Sequence, residues 1–271
     1  KSISPLDRSK NIMQQLKDFA VDLAHKAGGL LMEKLNPSLE IHYKGDINLV
    51  TEADKMSENL IIAAIRRNFP DHGILSEESP AILDGSTMRW IIDPLDGTTN
   101  YAHGYPVFCV SIALEKDGLI ILGVVYDPTR RDTFVAVRGE GAYLNGKKIA
   151  VSETSELTRS LLATGFPYDI RESKENNLDN FNTMAKEVQA IRRAGAAALD
   201  MAYVAAGRFD GFWELKVNPW DTAAACLMIE EAGGKISDIF GRPWNLLSPH
   251  ILASNDRIHE QMVAVLQNAK I

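Results

Sequence analysis

Trp90-Ile91-Ile92 is an apolar run that breaks off into two carboxylates three residues apart, Asp93 and Asp96, with Pro94 between them and Gly97-Thr98-Thr99-Asn100 behind. The run reads as the end of a buried strand, Asp93 as its exit, Pro94 as a brake on further pairing and Gly97 as a tight turn. Asp93 and Asp96 can then face one point at the end of a buried strand. No Lys or Arg lies within the segment to neutralise them. Keeping both ionised beside a buried strand calls for a cation, most simply a divalent metal. Gly97, Thr98 and Thr99 add closely spaced amides and hydroxyls, and a helical turn there would aim those amides at an anion. Carboxylates for a metal beside amides for an anion predict phosphoryl chemistry.

Asp-Pro and Asp-Gly are also ordinary turn dipeptides, so the pair needs support from elsewhere in the chain. Ile74-Leu75-Ser76 runs into Glu77 and Glu78, and Asn218-Pro219-Trp220-Asp221 opens an Ala-rich helix with an acid in its first turn. Taken singly, Asp221 is explained as a helix cap or dipole partner; three acidic element ends form a pattern. The six histidines have no close metal-ligand spacing, and neither a Gly-x-Ser-x-Gly nor a Walker-type loop occurs, which argues against serine hydrolase and nucleoside-triphosphatase chemistry.

Apolar spacing from Met13 to Leu31 predicts a first helix, and a second runs from about Asp54 to Asn68 before Pro70. The period then changes. Three antiparallel strands are expected between Val107 and Val137, turned at Asp117-Gly118 and around Asp127-Pro128, with a further hairpin at Asn145-Gly146. The second half alternates: a strand near Leu161, a helix from about Lys174 to Val188, a helix near Ala196 to Ala205, a strand through Phe212, the Trp220 helix, strands near Ile236 and Leu252, and a terminal helix. This order fits α+β. With 271 residues and 45% hydrophobic content the chain can bury a large core; it is expected to form one unit, 1–271, whose halves 1–150 and 151–271 pack together.

The longest apolar stretch, Leu119 to Val125, is interrupted by Gly123 and falls far below the roughly 20 residues of a membrane span. No apolar secretory core follows the N-terminal Lys-Ser-Ile-Ser-Pro, so the expected location is the cytoplasm. Cys109 and Cys226 sit in apolar surroundings and are expected to be buried thiols. A net charge of -7, with basic residues only in pairs such as Arg192-Arg193, argues against direct nucleic-acid binding.

The chain resembles the inositol monophosphatase family of magnesium-dependent, lithium-sensitive phosphatases. Asp93-Pro94-Leu95-Asp96-Gly97-Thr98-Thr99-Asn100 is similar to that family's first signature, and Trp220-Asp221-Thr222-Ala223-Ala224-Ala225 through Glu231-Ala232-Gly233-Gly234 to its second. Thr51-Glu52-Ala53-Asp54, Glu77-Glu78-Ser79, Gly195-Ala196-Ala197-Ala198 and Phe209-Asp210-Gly211-Phe212-Trp213-Glu214 follow in the family's order. Ala225 departs from the pattern, where Gly is usual.

The resemblance implies a layered α-β-α-β-α sandwich of the inositol monophosphatase and fructose-1,6-bisphosphatase type, usually a homodimer. It implies two or three Mg2+ ions: one on Glu77, Asp93 and the carbonyl of Leu95, a second on Asp93, Asp96 and Asp221. Hard oxygen ligands suit magnesium. In that scheme Asp93 bridges the ions, Glu77 and Thr98 orient the attacking water, and the amides of Gly97 and Thr98 hold phosphate oxygens. Asp96, Asp221, Glu214 and the backbone at Ala197 face the hydroxyls of a phosphorylated polyol or sugar. Lys44, Thr51, Asp54 and Glu78 are placed around this set, with Lys44-Gly45-Asp46 as a loop that closes over the site or carries a third ion.

Inositol 1-phosphate is the first substrate implied. Fructose 1,6-bisphosphate, histidinol phosphate and a nucleotide 3′-phosphate remain open, and Arg192 or Arg193 would serve a second phosphate. Eleven residues separate Glu78 from Trp90, which favours the short monophosphatase branch. A regulatory protein that contacts transcription machinery on this scaffold is the non-enzyme alternative.

Overall fold

The structure is a computed structural model that describes residues 5–35, 41–43, 49–82 and 86–269; the expected Lys44-Gly45-Asp46 loop lies outside them. Helix α1 (Pro5–Lys34) is followed by the short antiparallel pair β1 (Ile41–Tyr43) and β2 (Leu49–Thr51), then α2 (Glu52–Asn68), β3 (Gly73–Ser76), β4 (Met88–Asp96) and the short α3 (Thr98–Ala102). Five antiparallel strands continue: β5 (Cys109–Lys116), β6 (Leu119–Asp127), β7 (Asp132–Val137), β8 (Gly141–Leu144) and β9 (Lys147–Lys148). The second half contains β10 (Leu161–Thr164), α4 (Leu178–Met184), β11 (Ala190–Arg192), α5 (Ala197–Ala205), β12 (Gly211–Leu215), α6 (Pro219–Glu231), β13 (Lys235–Ser237), β14 (His250–Ser254) and α7 (His259–Asn268).

Strands β3 to β9 form a seven-stranded sheet in chain order, with β3 parallel to β4 and every other pair antiparallel. The second sheet has the order β11-β10-β12-β14-β13. Helices α1 and α2 cover one face of the first sheet; α5 and α6 lie between the two sheets, and α4 and α7 close the far side. This is the expected α+β sandwich of five layers. Leu16, Ala20, Leu23, Ala24, Ala27 and Leu31 make the buried stripe of α1, each large member contributing about 1.5–3 kcal/mol on burial. No helix among the described residues is long and apolar enough to cross a membrane.

The Asp117-Gly118 and Asn145-Gly146 turns have positive φ at both residues, the twist that two-residue hairpin loops demand. Gly123 permits a close approach between β6 and α6: a Cβ there would lie 2.5 Å from the Ala224 carbonyl oxygen. Both cysteines are buried thiols. Two histidines are structural: His72 Nδ1 accepts a bond from the Trp90 indole at 3.0 Å, and His259 is buried between the hydroxyls of Ser237 and Ser254.

Five elements differ from expectation. Strand β4 does not stop at Asp93. Pairing runs Asp93 with Ser111 and resumes at Asp96 with Cys109, so three steps on β4 match two on β5. Pro94 is accommodated in this bulge rather than terminating the strand. Helix α4 is confined to Leu178–Met184 because Asn177 precedes it with φ 70° and spends its side chain on Thr164, Gly165 and Trp213. Strands β1, β2 and β11 were not anticipated; three-residue segments are too short to show a period.

Candidate active site

The bulge in β4 creates the site. In an unbroken strand residues three apart point to opposite faces; the extra residue between Asp93 and Asp96 brings both to the same side. Both line a cavity of about 320 Å3 at the junction of the two sheets and the middle helices. Glu77 enters from the end of β3, Leu95, Gly97 and Thr98 from the bulge and the start of α3, Ala197 from the first residue of α5, Glu214 from β12 and Asp221 from the first turn of α6. All nine of these residues line one cavity, and Arg193 joins them. Asp54, Glu78 and Arg192 do not line it, and Lys44 and the side chain of Thr51 lie outside the described part of the structure.

Local geometry explains the motif. Gly97 has φ 95°, and a Cβ would lie 2.9 Å from the Val107 carbonyl oxygen, so only glycine fits. The Leu95 amide donates to Asp93 Oδ1 at 3.0 Å, and the Thr98 hydroxyl donates to the Leu95 carbonyl at 3.1 Å. As first donors of a helical turn, the Gly97 and Thr98 amides have no carbonyl one turn back. Asp96 accepts from the Ala197 amide (3.1 Å), the Ala198 amide (2.8 Å) and the Cys109 thiol (3.4 Å). Its carboxylate thus caps α5 across the two halves of the chain. The Ala197 N–H, expected to face a substrate hydroxyl, is already engaged by Asp96. Asp221 Oδ2 accepts from the Asn218 amide at 2.7 Å, so this acid both caps α6 and faces the cavity. Glu214 packs against Gly165, where a Cβ would collide with its carboxyl group.

Burial first, then the neighbouring acids Glu77, Asp96 and Asp221, holds the Asp93 carboxyl well above its usual range. Burial pushes Asp96 up to about 6 against the opposing pull of its amide and thiol donors. Asp221 rises to about 8, again through burial, opposed by the Asn218 amide and reinforced by Glu77 and Asp96. Burial and the nearby Asp221, Asp96 and Asp200 raise Glu214 well above normal, while Arg193 pulls it down.

Among the described residues, no three His, Cys, Asp or Glu side chains converge closely enough to enclose a metal ion. Asp96 and Asp221 are turned onto backbone amides instead. The donor set nevertheless fits a hard divalent cation: the cavity is walled by oxygen donors whose ionised forms destabilise one another, and a cation relieves that repulsion. Glu77, Asp93, Asp96, Asp221 and the Leu95 carbonyl are the groups that could hold it.

Asp54 is fully buried in the first turn of α2 and adds to the negative field at Asp93. Thr51 ends β2, and Glu78 donates its amide to Glu58. Sequence reasoning missed Ser57, Glu58, Tyr168 and Asp200. Tyr168 and Asp200 line the cavity, and Asp200 Oδ1 is buried without a hydrogen-bond partner. The signal for Ser57 and Glu58 was present: with Asp54 they interrupt the same buried face as Ala53, Ile61 and Ile65 at helical spacing.

The inositol monophosphatase family profile matches residues 12–270. The Nus factor SuhB of Pseudomonas aeruginosa is 42% identical over 264 residues, covering 94% of this chain and 97% of that protein. The inositol-1-monophosphatase of Synechocystis sp. is 42% identical over 260 residues, covering 95% and 91%. Among solved structures, the inositol monophosphatase from Anabaena (Nostoc) sp. superposes with a TM-score of 0.87 at 43% identity, covering 95% of this chain and 97% of that one. Fold and site thus define a layered phosphatase scaffold. The chain belongs to the inositol monophosphatase family.

Proposed function

We propose that this protein hydrolyses a phosphate monoester of a polyol, inositol 1-phosphate first among them, with magnesium held by Glu77, Asp93, Leu95, Asp96 and Asp221. The observation that carries this reading is the convergence of five acids, Glu77, Asp93, Asp96, Glu214 and Asp221, on one cavity with Gly97 and Thr98. Magnesium supplies Lewis acidity there, acidifying water and offsetting charge on the phosphate. Thr98 spends its hydroxyl hydrogen on Leu95, so its lone pairs accept from the attacking water. Glu77 would take that water's proton as the phosphorus–oxygen bond to the polyol breaks, and the departing alkoxide would take a proton from solvent. The amides of Gly97 and Thr98 meet charge developing on the phosphate oxygens. Glu214 accepts from a hydroxyl of the polyol, which selects against analogues lacking it. The protein is further proposed to act as a cytoplasmic homodimer, which light scattering after size exclusion would test.

Phosphate release from inositol 1-phosphate, fructose 1,6-bisphosphate, histidinol phosphate and 3′-phosphoadenosine 5′-phosphate, each with magnesium or chelator, tests the reading. Magnesium-dependent turnover, fastest with inositol 1-phosphate, is expected. Silence on all four would favour a regulatory role with a transcription-machinery partner, a reading supported by the name Nus factor carried by a relative of 42% identity.

Two further expectations arise here. Gly165→Ala displaces the Glu214 carboxyl, so KM for the polyol ester should rise about tenfold, the worth of one hydrogen bond, while turnover of an aryl phosphate holds; equal loss on both would place Glu214 in the chemical step. In the metal-free protein, Asp96 and Asp221 have folded pKa values above their unfolded ones. The folded state then binds more protons than the unfolded state from about pH 4 to 8, so these groups make stability fall as pH rises through that window. Melting temperatures with chelator should show this fall, Asp221→Asn should make it shallower above about pH 6, where the raised Asp93 and Glu214 still contribute, and magnesium should suppress it in the native chain. A slope unaffected by the substitution would refute the assignment.

A further inference from the structure

We propose that Glu58, with Ser57 beside it, is a positioning residue that holds the Glu77 segment in register with the Asp93–Asp96 bulge. The proposal rests on the metal-dependent reading above.

Glu58 is 4% exposed on α2. Its two carboxylate oxygens are used on successive residues immediately after Glu77. Oε1 accepts from the Glu78 amide at 3.1 Å and Oε2 from the Ser79 hydroxyl at 2.7 Å. The Glu78 N–H belongs to the peptide plane that follows Glu77, so fixing that amide fixes the backbone torsion that aims the Glu77 side chain. The preceding residue of the helix grips the other ligand segment: the Ser57 hydroxyl donates to the Pro94 carbonyl at 2.9 Å, inside the bulge between Asp93 and Asp96. Two adjacent side chains on one helix thus tie the end of β3 to the bulge of β4, the segments that carry Glu77 and Asp93. Strands β3 and β4 are paired only as far as Ser76 and Ile92. Beyond that point the α2 clamp supplies a connection that the sheet ladder does not.

The test uses the full chain and two readouts: Mn2+ binding by titration calorimetry, and the magnesium activation constant measured apart from KM. Glu58→Ala is expected to weaken Mn2+ binding at least about tenfold and raise the magnesium requirement in parallel, with KM held within about twofold. Glu58→Gln should recover most of the affinity, since its amide oxygen still accepts from the Glu78 N–H. Ser79→Ala removes one donor without disturbing the core and should weaken binding about threefold, so the decision does not depend on Glu58→Ala folding. Unchanged Mn2+ affinity in Glu58→Ala or, if that variant does not fold, in Ser79→Ala overturns the proposal. Lost thermal stability with metal affinity intact does so too, because it assigns Glu58 to packing alone. A native protein that binds Mn2+ without phosphatase activity would sink the functional reading and leave the calorimetry to decide on Glu58. A native protein that binds no Mn2+ overturns both.

Discussion

Asp93→Asn should lower turnover by at least about a thousandfold, roughly 4 kcal/mol of transition-state stabilisation, while leaving the fold intact. Asp93 is 2% exposed and stands in the combined field of Glu77, Asp96 and Asp221. Replacing its carboxylate by an isosteric amide removes the charge that a cation in this cavity would meet from the centre of the acid set. The same change relieves like-charge repulsion in the metal-free protein, so its melting temperature with chelator should rise or hold. Loss of activity with a preserved or higher melting temperature separates a ligand role from a structural one. Native turnover in this variant would rule out the proposed metal set.

Gly123→Val should destabilise the protein by about 3 kcal/mol or more, a fall of about 10 °C in melting temperature for a chain of this size. The added Cβ would press on the Ala224 carbonyl oxygen and Cα of α6, at 2.5 and 2.9 Å. These are backbone atoms of a buried helix and cannot swing aside. Because α6 carries Asp221 in its first turn, activity should fall further than stability alone accounts for at a temperature where the variant is folded. An unchanged melting temperature would mean that α6 does not rest on β6 as described.

The Gly123 contact shows why some of this architecture was legible in advance and some was not. A glycine inside an apolar strand is visible in the sequence as an interruption, yet nothing local says that a helix a hundred residues later lies across it. The opposite holds for the two hairpins at Asp117-Gly118 and Asn145-Gly146, whose geometry is set within four residues. Helices α1 and α2 were likewise readable, because a buried stripe repeats within the element itself. The acid set lay between these cases. Its members could be named from motifs, whereas the turning of Asp96 onto the Ala197 and Ala198 amides, 101 and 102 residues away, could not. Ser57 and Glu58 were overlooked because a polar residue on a helix is ordinarily assigned to solvent; burial reveals them as ties between two strand ends.

By itself the sequence determined the alternation of elements, the turn chemistry and the kind of donors that gather at strand and helix ends. These follow from interactions spanning one turn of helix or one hairpin. Only the tertiary structure decided that β4 runs on through Pro94, that the resulting bulge places Asp93 and Asp96 on one side, and that α2 hydrogen-bonds both to that bulge and to the residues after β3. Those outcomes depend on pairing with β5 and on packing against α2, α5 and α6. Such contacts join residues far apart in the chain, and no local period or propensity encodes them.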